Sequence, residues 1–355
     1  MRQVIVLGAG LAGSFLACRL LRQGCHVTLI DDRAPMSASR VAAGLYNVIT
    51  GRFGSKTWKA ETLLAELDAV LKDPFFQGVS QFIHPIHIYR PFKDVEEYNQ
   101  WSGWSAEPAY HQLVKFEERP LFPEVIHNPL GGIRILPCGW VNIGGLIDRL
   151  QDIFRSNGGV VLQGSIPYDQ INMGQKTLTW KGEPLGFDQM ICCEGYRIRQ
   201  NPWFEKLPVQ PNKGEILEIE SEGLDQLPFV ITKKVYMVPG ESGRWIVGST
   251  YEHLFDDPGP TEAGRAQIEE QLRLVLKVPY KVVGHRAGIR PTTPNRRPIL
   301  GSHPQWPFLY TLSGFGTKGM LAAPYCSRLM TAHILEGAEV PEELRITQFK
   351  AFRPT

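Results

Sequence analysis

The sequence Val4-Ile5-Val6-Leu7-Gly8-Ala9-Gly10-Leu11-Ala12-Gly13, near the start of the chain, decides the fold. Its first four residues favour a β-strand, and the glycines that follow predict a tight turn. Residues 14–23 have a helical pattern, and Val27-Thr28-Leu29-Ile30 is a second apolar run that ends at Asp31. Strand, glycine turn, helix, strand and acid in this order are typical of the βαβ unit that binds a dinucleotide.

Each part of this unit has a physical reason. Gly8 allows a sharp turn, Gly10 lets a pyrophosphate approach the backbone because it has no Cβ, and Gly13 lets the helix pack close to the strand. The helix N-terminus offers free N–H groups and the positive end of its dipole to phosphates. Asp31, eighteen residues after Gly13, can accept hydrogen bonds from ribose hydroxyls. The alternative is that these glycines only serve a turn in another α/β protein. The unit does not distinguish NAD from FAD.

Composition limits the class of protein. The 355 residues suit two domains better than one simple core. A net charge of +2, from 38 basic and 36 acidic residues, argues against a large nucleic-acid-binding surface. No run of eighteen apolar residues predicts a membrane span, and the N-terminus lacks the pattern of a secretion signal, so we expect a cytoplasmic protein. The six cysteines include no CxxC pair and no spacing that suits zinc, so no metal is expected.

Small residues are dense in residues 37–45, directly after the βαβ unit. Ser39 and Arg40 could donate to phosphate, and Ala43-Gly44 could lie against a flat ring. A tightly packed start of a helix explains the same composition, and the two interpretations are compatible.

Later segments predict a chain that crosses repeatedly between two domains. Strands at residues 158–162 and 189–195 return to the nucleotide-binding sheet, whereas residues 207–283 suggest mostly antiparallel strands. The aromatic segment 92–110 is either a substrate lid or a cover over the sheet. An amphipathic helix is predicted at residues 58–71, a further helix at 143–156 and a charged helix at 261–275.

Several separated motifs, together with the N-terminal unit, resemble the D-amino-acid-oxidase-type flavoproteins. This group includes glycine oxidase, D-amino-acid oxidase and monomeric sarcosine oxidase, and the resemblance runs from residue 4 to about residue 335. The motifs, in chain order, are Ile191-Cys192-Cys193-Glu194-Gly195, Pro211-Asn212-Lys213-Gly214-Glu215, Tyr236-Met237-Val238-Pro239-Gly240, Ile246-Val247-Gly248-Ser249-Thr250, Ala287-Gly288-Ile289-Arg290-Pro291-Thr292-Thr293-Pro294, Pro298-Ile299-Leu300-Gly301 and Gly314-Phe315-Gly316-Thr317-Lys318-Gly319.

The resemblance implies an α/β fold (α+β overall). A Rossmann-like FAD-binding domain would be interleaved with a substrate domain built on a mostly antiparallel sheet. The FAD-binding domain would comprise residues 1–78, 137–205 and 285–337, and the substrate domain residues 79–136 and 206–284. Residues 338–355 would form a C-terminal tail. The cofactor would be FAD rather than NAD, bound non-covalently, since no cysteine or histidine is a strong candidate for a covalent link.

The implied activity is oxidation of the CH–NH bond of a small amine or amino acid. A hydride moves from the α-carbon to flavin N5, the imine hydrolyses, and O₂ or another acceptor reoxidises the flavin. The resemblance implies these cofactor-binding residues: Gly8, Gly10, Leu11, Ala12, Gly13, Asp31, Asp32, Ser39, Arg40, Ala43, Gly44, Leu45, Tyr168, Cys193, Gly195, Arg290, Gly314, Gly316, Thr317, Lys318, Gly319 and Met320.

Two residues match the substrate site of the family. Arg290 would clamp the substrate carboxylate, because its planar guanidinium pairs with a carboxylate in a bidentate way and fixes the α-carbon. Tyr236 would help to bind the same carboxylate. Considered alone, Arg290 could equally be a fold-stabilising arginine before a proline turn, and Tyr236 a half-buried strand aromatic.

The sequence departs from the family pattern in two places. Asn295 replaces a frequent aspartate, and Arg296 and Arg297 follow it. These arginines would favour an acidic or bulky substrate, or they are simply solvated loop charges. We prefer the second interpretation. Ile246 and Leu321 lie near the positions where related enzymes place an oxygen-activating lysine, so a dehydrogenase that uses another electron acceptor is an alternative to an oxidase.

The sequence thus predicts an FAD-dependent amine or amino-acid oxidase or dehydrogenase. Its partners would be a small amine or amino acid and an electron acceptor, without a nucleic acid, a metal or a membrane span. One alternative is an enzyme that trims an amino-acid-like group from a tRNA base. Another is an FAD-binding protein without amine chemistry. The sequence does not indicate the oligomeric state.

Overall fold

The computed structural model of the protein describes residues 1–50, 54–165 and 167–353. Residues 51–53, 166, 354 and 355, which the predicted domain ranges include, lie outside the described residues. The α-helices of the described part are α1 (Leu11–Arg22), α2 (Ala38–Val41), α3 (Ala60–Lys72), α4 (Val95–Trp104), α5 (Ile143–Ser156), α6 (Glu262–Arg273) and α7 (Gly319–Glu336).

Strands of the described part form two large sheets and three small ones. In chain order they are β1 (Gln3–Leu7), β2 (His26–Asp31), β3 (Ile49–Thr50), β4 (Ser55–Lys56), β5 (Ile83–Pro85), β6 (His87–Pro91), β7 (Val114–Glu117), β8 (Gly132–Ile135), β9 (Gly139–Val141), β10 (Val160–Gln163), β11 (Ile171–Asn172), β12 (Thr177–Trp180), β13 (Glu183–Gly186), β14 (Gln189–Cys192), β15 (Gln210–Glu220), β16 (Phe229–Thr232), β17 (Tyr236–Pro239), β18 (Trp245–Gly248), β19 (Lys281–Thr292), β20 (Ile299–Ser302) and β21 (Leu309–Ser313).

The first large sheet has the strand order β10-β2-β1-β14-β21-β20, parallel except for the edge strand β20. Its central strand is apolar on both faces because both faces are covered. Val4 and Val6 pack in a core with α1, α3, α5 and α7, whereas Ile5 and Leu7 pack on the opposite side in a core with residues of β12 and β14. The predicted strands 158–162 and 189–195 correspond to β10 and β14, which confirms the Rossmann-like part of the fold class.

The predicted helices are present with shifted ends. The first begins at Leu11, directly after Gly10, rather than at Ser14. The helix predicted at 58–71 begins at Ala60, since Lys59 has a left-handed backbone conformation (φ 48°). The helix predicted at 261–275 begins after Thr261, whose side-chain oxygen accepts a hydrogen bond from Gly264 N–H and caps the helix.

The second large sheet has the order β19-β15-β18-β17-β16-β6-β8-β7 and is antiparallel except for the pair β16–β6. This confirms the mostly antiparallel sheet of the predicted fold class. Strand β19 pairs with β15 from residue 281 to residue 292. The crossing predicted at residue 285 therefore falls inside a strand, and we propose that the chain leaves this sheet only after Thr292.

The aromatic segment 92–110 contains α4 and packs on one face of the second sheet. Trp101 is 1% exposed, and its ring meets those of Trp104 and Tyr110 with centroids 5.2 and 5.8 Å apart. No helix in the described ranges is both long and apolar enough to cross a membrane. The described residues also contain no group of three or more His, Cys, Asp or Glu side chains that could hold a metal ion.

A buried ion pair holds the second sheet to α6. Lys213 Nζ lies 3.0 Å from Glu215 Oε1, and the two side chains are 1% and 0% exposed. Thr261 donates to this carboxylate from both its backbone N–H and its hydroxyl at 2.9 Å, and His285 Nε2 lies 2.8 Å from it. Burial alone would raise the pKa of Glu215, but donors from Thr261, Lys213 and His285 hold it below its usual range.

We expect Glu215→Ala to lower the free energy of unfolding by about 3–5 kcal/mol, because it leaves the buried Lys213 ammonium with only the more distant Glu252 carboxylate, 3.8 Å away and 33% exposed. Glu220→Ala is the matched control on the same strand. Its carboxylate is 47% exposed and pairs with Arg244 at the surface, so the expected loss is below about 1 kcal/mol. Urea midpoints of the two variants measure the difference, and equal losses would contradict the role given to the buried pair.

Candidate active site

A cavity of about 1300 Å³ lies where the two large sheets face each other. The residues that follow β1, β2, β14 and β21 line it, so it opens at the carboxyl ends of the parallel strands. Residues of β15, β17 and β19 from the antiparallel sheet line it as well. Ligands of open α/β sheets bind at this edge, at the point where the chain connects to strands on opposite sides of the first strand. In this sheet β2 and β14 lie on opposite sides of β1.

The glycine turn shapes one end of this cavity. Gly8, Gly10, Leu11 and Ala12 line it, but Gly13 does not belong to its lining. A Cβ at Gly13 would lie 1.9 Å from the carbonyl oxygen of Gly8, so Gly13 sits at the contact between α1 and β1. Its place is therefore in the packing of helix against strand rather than in direct contact with a ligand.

Two groups at this end are suited to an anion. Gly10 supplies no capping side chain to α1, and Ser39 Oγ accepts a hydrogen bond from Leu11 N–H at 3.2 Å, so the helix presents its other N-terminal N–H groups and its positive dipole end. Arg40 lines the cavity, and its Nη2 is buried without a hydrogen-bond partner among the described residues. An unpaired buried guanidinium nitrogen is costly. The residues present therefore fit a bound pyrophosphate, the charged part of FAD.

The two predicted acids at the end of β2 differ in their partners. Asp31 accepts hydrogen bonds from Ala9 N–H at 3.0 Å and Arg33 N–H at 2.9 Å, so it lies beside the glycine turn. Asp32 forms an ion pair with Arg197 and accepts from Ala34 N–H at 3.1 Å. Both acids line the cavity at the nucleotide end, and Arg197 is a lining residue that the sequence did not single out.

Glu194 is a second residue that sequence reasoning missed. It follows β14 and lines the cavity. Its carboxylate accepts hydrogen bonds from the hydroxyl of Tyr168, a predicted site residue, and from Asn201 Nδ2 at 2.8 Å. Burial raises the pKa of Glu194 to about 7, against the donors that lower it. The signal for Glu194 in the sequence is its position as an acidic residue directly after an apolar strand.

The loop before α7 lines the cavity from Gly314 to Gly319, and Met320 continues the lining. Lys318 directly precedes the helix, and burial lowers its pKa to about 8. It therefore places a half-buried cation at the positive end of the helix dipole. A helix N-terminus with a cation beside it stabilises negative charge, so the residues present fit the electron-rich N1–C2 edge of a flavin.

Arg290 lies on β19 opposite Asn212 of β15. Its Nη1 donates to Asn212 Oδ1 at 2.9 Å and to the Thr250 carbonyl at 3.3 Å, and its Nη2 donates to Ser249 Oγ at 2.7 Å. These contacts leave guanidinium N–H groups, including Nε–H, without an acceptor among the described residues. A Cβ at position 214 would lie 2.0 Å from Nη2, so Gly214 makes room for the guanidinium.

Tyrosine and serine side chains surround this arginine. The guanidinium carbon of Arg290 lies 4.5 Å from the ring centroid of Tyr251, which is 62% exposed and lines the cavity. Tyr236 lines the same region. Burial raises its pKa to about 12, while the Arg290 charge and a hydrogen bond with Ser249 act in the opposite direction. The structure thus brings Arg290 and Tyr236 together. Ser249, Tyr251 and Asn212 are neighbours that sequence reasoning did not assign.

All predicted site residues except Gly13 line this one cavity. The segment 92–110 lies entirely within the described residues, and none of its members lines the cavity. Of the two interpretations offered for that segment, the structure supports a cover over the sheet rather than a lid over this cavity. The lining residues that were predicted are Gly8, Gly10, Leu11, Ala12, Asp31, Asp32, Ser39, Arg40, Ala43, Gly44, Leu45, Tyr168, Cys193, Gly195, Tyr236, Arg290, Gly314, Gly316, Thr317, Lys318, Gly319 and Met320.

The fold and this cavity define a flavin-dependent oxidoreductase. The chain belongs to the DAO family, described as FAD dependent oxidoreductase, whose family model matches residues 3–333. This confirms the resemblance stated from the sequence motifs, the enzyme class and FAD as the cofactor.

Curated relatives match almost the whole chain at low identity. A bifunctional ThiO/ThiG protein of Nostoc sp. is 26% identical over 96% of this chain. The tRNA 5-methylaminomethyl-2-thiouridine biosynthesis bifunctional protein of Legionella pneumophila is 23% identical over 94% of it. The chain spans about half the length of these two relatives, 54% in each case. A glycine oxidase of Pseudomonas aeruginosa is 24% identical, with 95% of each chain covered.

Solved structures share the fold. Iminodiacetate oxidase from Chelativorans sp. BNC1 superposes with a TM-score of 0.78 at 23% identity, covering 96% of this chain and 98% of the other. Glycine oxidase from Bacillus cereus has a TM-score of 0.79 at 18% identity, with 96% of each chain covered. The match in fold extends over both large sheets.

We expect the stability of the FAD-free protein to carry a pH dependence from Glu194. Its pKa rises from the usual 4.5 to about 7 on folding. The unfolded chain therefore releases this proton first, and the free energy of unfolding falls as pH rises from about 4.5 through about 7. Urea midpoints at pH 5 and pH 8 measure this fall. The drop should be smaller in Glu194→Gln, whose amide does not titrate, and an equal drop in both proteins would contradict the assignment.

Proposed function

We propose that this enzyme oxidises the CH–NH bond of a small amino acid or carboxylated amine. The observation that carries the proposal is Arg290, a guanidinium with free donor groups in the wall of the cavity that fits FAD. A fixed guanidinium selects a carboxylate, because two parallel N–H groups match two carboxylate oxygens. Two solved structures that share the fold are named glycine oxidase and iminodiacetate oxidase, and these names support a carboxylated amine as the substrate.

The protein residues mainly orient the substrate. Asn212, Ser249 and Thr250 accept hydrogen bonds from the Arg290 guanidinium and so restrict its orientation. We propose that Tyr236 donates its hydroxyl to the same substrate carboxylate, since it lines the cavity beside Arg290 and a phenol with a pKa of about 12 is protonated at neutral and at alkaline assay pH. A carboxylate fixed in this way places the α-carbon and its amine relative to the flavin. Bound FAD supplies the hydride acceptor at N5.

No general base is assigned. If the amine enters in its neutral form, hydride removal needs no prior proton transfer to the protein. We propose the cofactor contacts predicted from the sequence for the remaining lining residues. Gly13 is the exception, because it acts through packing of α1 on β1.

An anaerobic screen of amino acids and amines against the FAD-loaded protein tests this function. We expect carboxylated amines to bleach the flavin absorbance in the visible range, and the same amines without a carboxylate to do so far more slowly. Readmission of air and assay of hydrogen peroxide then distinguish an oxidase from a dehydrogenase. A protein that refuses FAD, or a flavin that no carboxylated amine bleaches, would contradict the proposal.

We expect Arg290→Ala to raise KM for a carboxylated substrate by roughly 10²-fold or more, because a charge-assisted bidentate contact is lost. Activity on an amine without a carboxylate should change by less than about threefold, which makes that substrate the internal control. Arg290→Lys should be intermediate, since an ammonium keeps the charge but not the planar pair of donors. An unchanged KM for the carboxylated substrate would remove Arg290 from the site.

A second candidate is removal of an amino-acid-like group from a tRNA base. Its support is the likeness to the bifunctional tRNA-modification protein, of which this chain spans 54%. The net charge of +2 argues against a broad RNA-binding surface. Salt-sensitive binding of tRNA, together with flavin bleaching by tRNA but by no free amino acid, would favour this candidate.

A further inference from the structure

The charges of the cavity wall are divided between its two parts. The carboxylates that line it are Asp31, Asp32 and Glu194, which lie at the carboxyl ends of β2 and β14, at the nucleotide end. Apart from a few uncharged positions and Arg197, which pairs with Asp32, the rest of the described lining lies within residues 37–58, 210–253 and 288–323. This part of the lining contains no carboxylate. In this part the wall carries these cations: Arg40, Lys56, Arg290, Arg296, Arg297 and Lys318.

The cations have no carboxylate of their own. Among the described residues, no Asp or Glu oxygen lies within ion-pair distance of Lys56, Arg296, Arg297 or Lys318. The Glu343 charge acts on Arg297, but Glu343 Oε1 lies 3.4 Å from Lys59 Nζ and pairs with that ammonium. The Arg296 charge disfavours the charged form of Lys318. Cations gathered in one wall without counter-charges attract an anionic ligand and raise its local concentration.

Arg297 is the best placed of these residues to hold such a ligand. Its guanidinium carbon lies 5.1 Å from the ring centroid of Trp58, and both residues line the cavity. The Trp58 ring restricts the guanidinium by a cation–π contact, which leaves the N–H edge available. Burial lowers the pKa of Arg297, so water solvates this charge incompletely. This geometry differs from the freely solvated loop charge that the sequence suggested.

The pyrophosphate, the flavin edge and one substrate carboxylate do not account for all of these cations. The N-terminus of α1 and the unpaired Nη2 of Arg40 suit the pyrophosphate. Arg290 takes one carboxylate, and Lys318 lies at the N-terminus of α7, where the flavin edge is expected. Arg296 and Arg297 remain, on the loop that directly follows the Arg290 strand. Arg297 therefore lines the same cavity as Arg290 and lies seven residues after it in the chain.

We propose that Arg297, with Arg296 beside it, forms a second anion site and that the substrate is an amino acid or secondary amine bearing two acid groups. One carboxylate binds Arg290 and the other acid group binds Arg297. This inference rests on the proposed function and deepens it, because it names the class of substrate. A substrate such as glycine, with one acid group, would leave the second site without a partner.

Ligand binding to the oxidised, FAD-loaded protein tests this proposal without turnover. The flavin absorbance change on titration gives the Kd of acetate, as a one-acid probe, and of malonate and succinate, as two-acid probes. We expect the better dicarboxylate to bind at least about tenfold more tightly than acetate, since it gains a second charge-assisted contact. In Arg297→Gln this preference should fall to less than about threefold, while the Kd of acetate and the Kd of FAD stay within twofold of the unaltered protein.

Two variants complete the design. Arg296→Gln, at an exposed side chain, should reduce the dicarboxylate preference by a smaller factor and tests the site if Arg297→Gln fails to fold. Arg244→Gln is the matched control, because Arg244 pairs with Glu218 and Glu220 outside the cavity lining, and it should leave every Kd unchanged.

Four results would overturn the proposal: a dicarboxylate that binds no better than acetate, an unchanged preference in Arg297→Gln, a loss of FAD rather than of dicarboxylate binding in that variant, or no flavin response to any carboxylate. Weakened tRNA binding in Arg297→Gln, with dicarboxylate binding unchanged, would assign the cations to a nucleic acid and also overturn it. The proposed function fails separately, through the absence of flavin bleaching by any carboxylated amine.

Discussion

The close approach of α1 to β1 is the constraint on which the cofactor end of the structure depends. Gly13 has no side chain, and a single added carbon would lie 1.9 Å from the Gly8 carbonyl oxygen. A Cβ at Gly8 would in turn lie 2.5 Å from the Cys193 carbonyl oxygen, at the end of the neighbouring strand β14. These two absent side chains let the helix N-terminus lie over the strand ends. The anion-binding end of the helix therefore faces the cavity rather than the solvent.

A second constraint joins this end to the antiparallel sheet. Ile289 N–H, on the strand of Arg290, donates to the Met36 carbonyl at 3.1 Å, and Gly288 leaves room for Val41. The segment that carries Arg40 thus lies against the strand that carries Arg290. Gly214 leaves the space that the Arg290 guanidinium fills. Arg40 and Arg290, 250 residues apart in the chain, consequently line one cavity.

The sequence predicts what depends on local order. The βαβ unit, the return of β10 and β14 to its sheet and the antiparallel strands follow from periodicity and turn residues that are contiguous in the chain. The family motifs add Arg290 and Tyr236, which share one cavity in the structure. We propose that the chain crosses between the sheets after Thr292 rather than at residue 285, because β19 pairs with β15 up to that residue, and this pairing has no local pattern in the sequence.

Other features depend on contacts between distant residues and have no local pattern. Tyr168 and Asn201 meet at Glu194 only after the chain has folded, so neither the hydrogen bonds nor the raised pKa of Glu194 could be predicted. The contact of Arg297 with Trp58 likewise joins a loop after β19 to the segment before α3. Without that contact, Arg297 was indistinguishable from a solvated loop charge.

A crystal structure of the FAD-loaded protein with a bound carboxylate inhibitor tests most directly the claim that these distant elements build one site. We predict the pyrophosphate at the N-terminus of α1 near Arg40, the flavin edge at the N-terminus of α7, and the inhibitor carboxylate on Arg290. The inhibitor carbon that corresponds to the α-carbon should lie roughly 3–3.5 Å from flavin N5. A carboxylate bound away from Arg290, or a flavin ring outside the space between β19 and α7, would contradict the account.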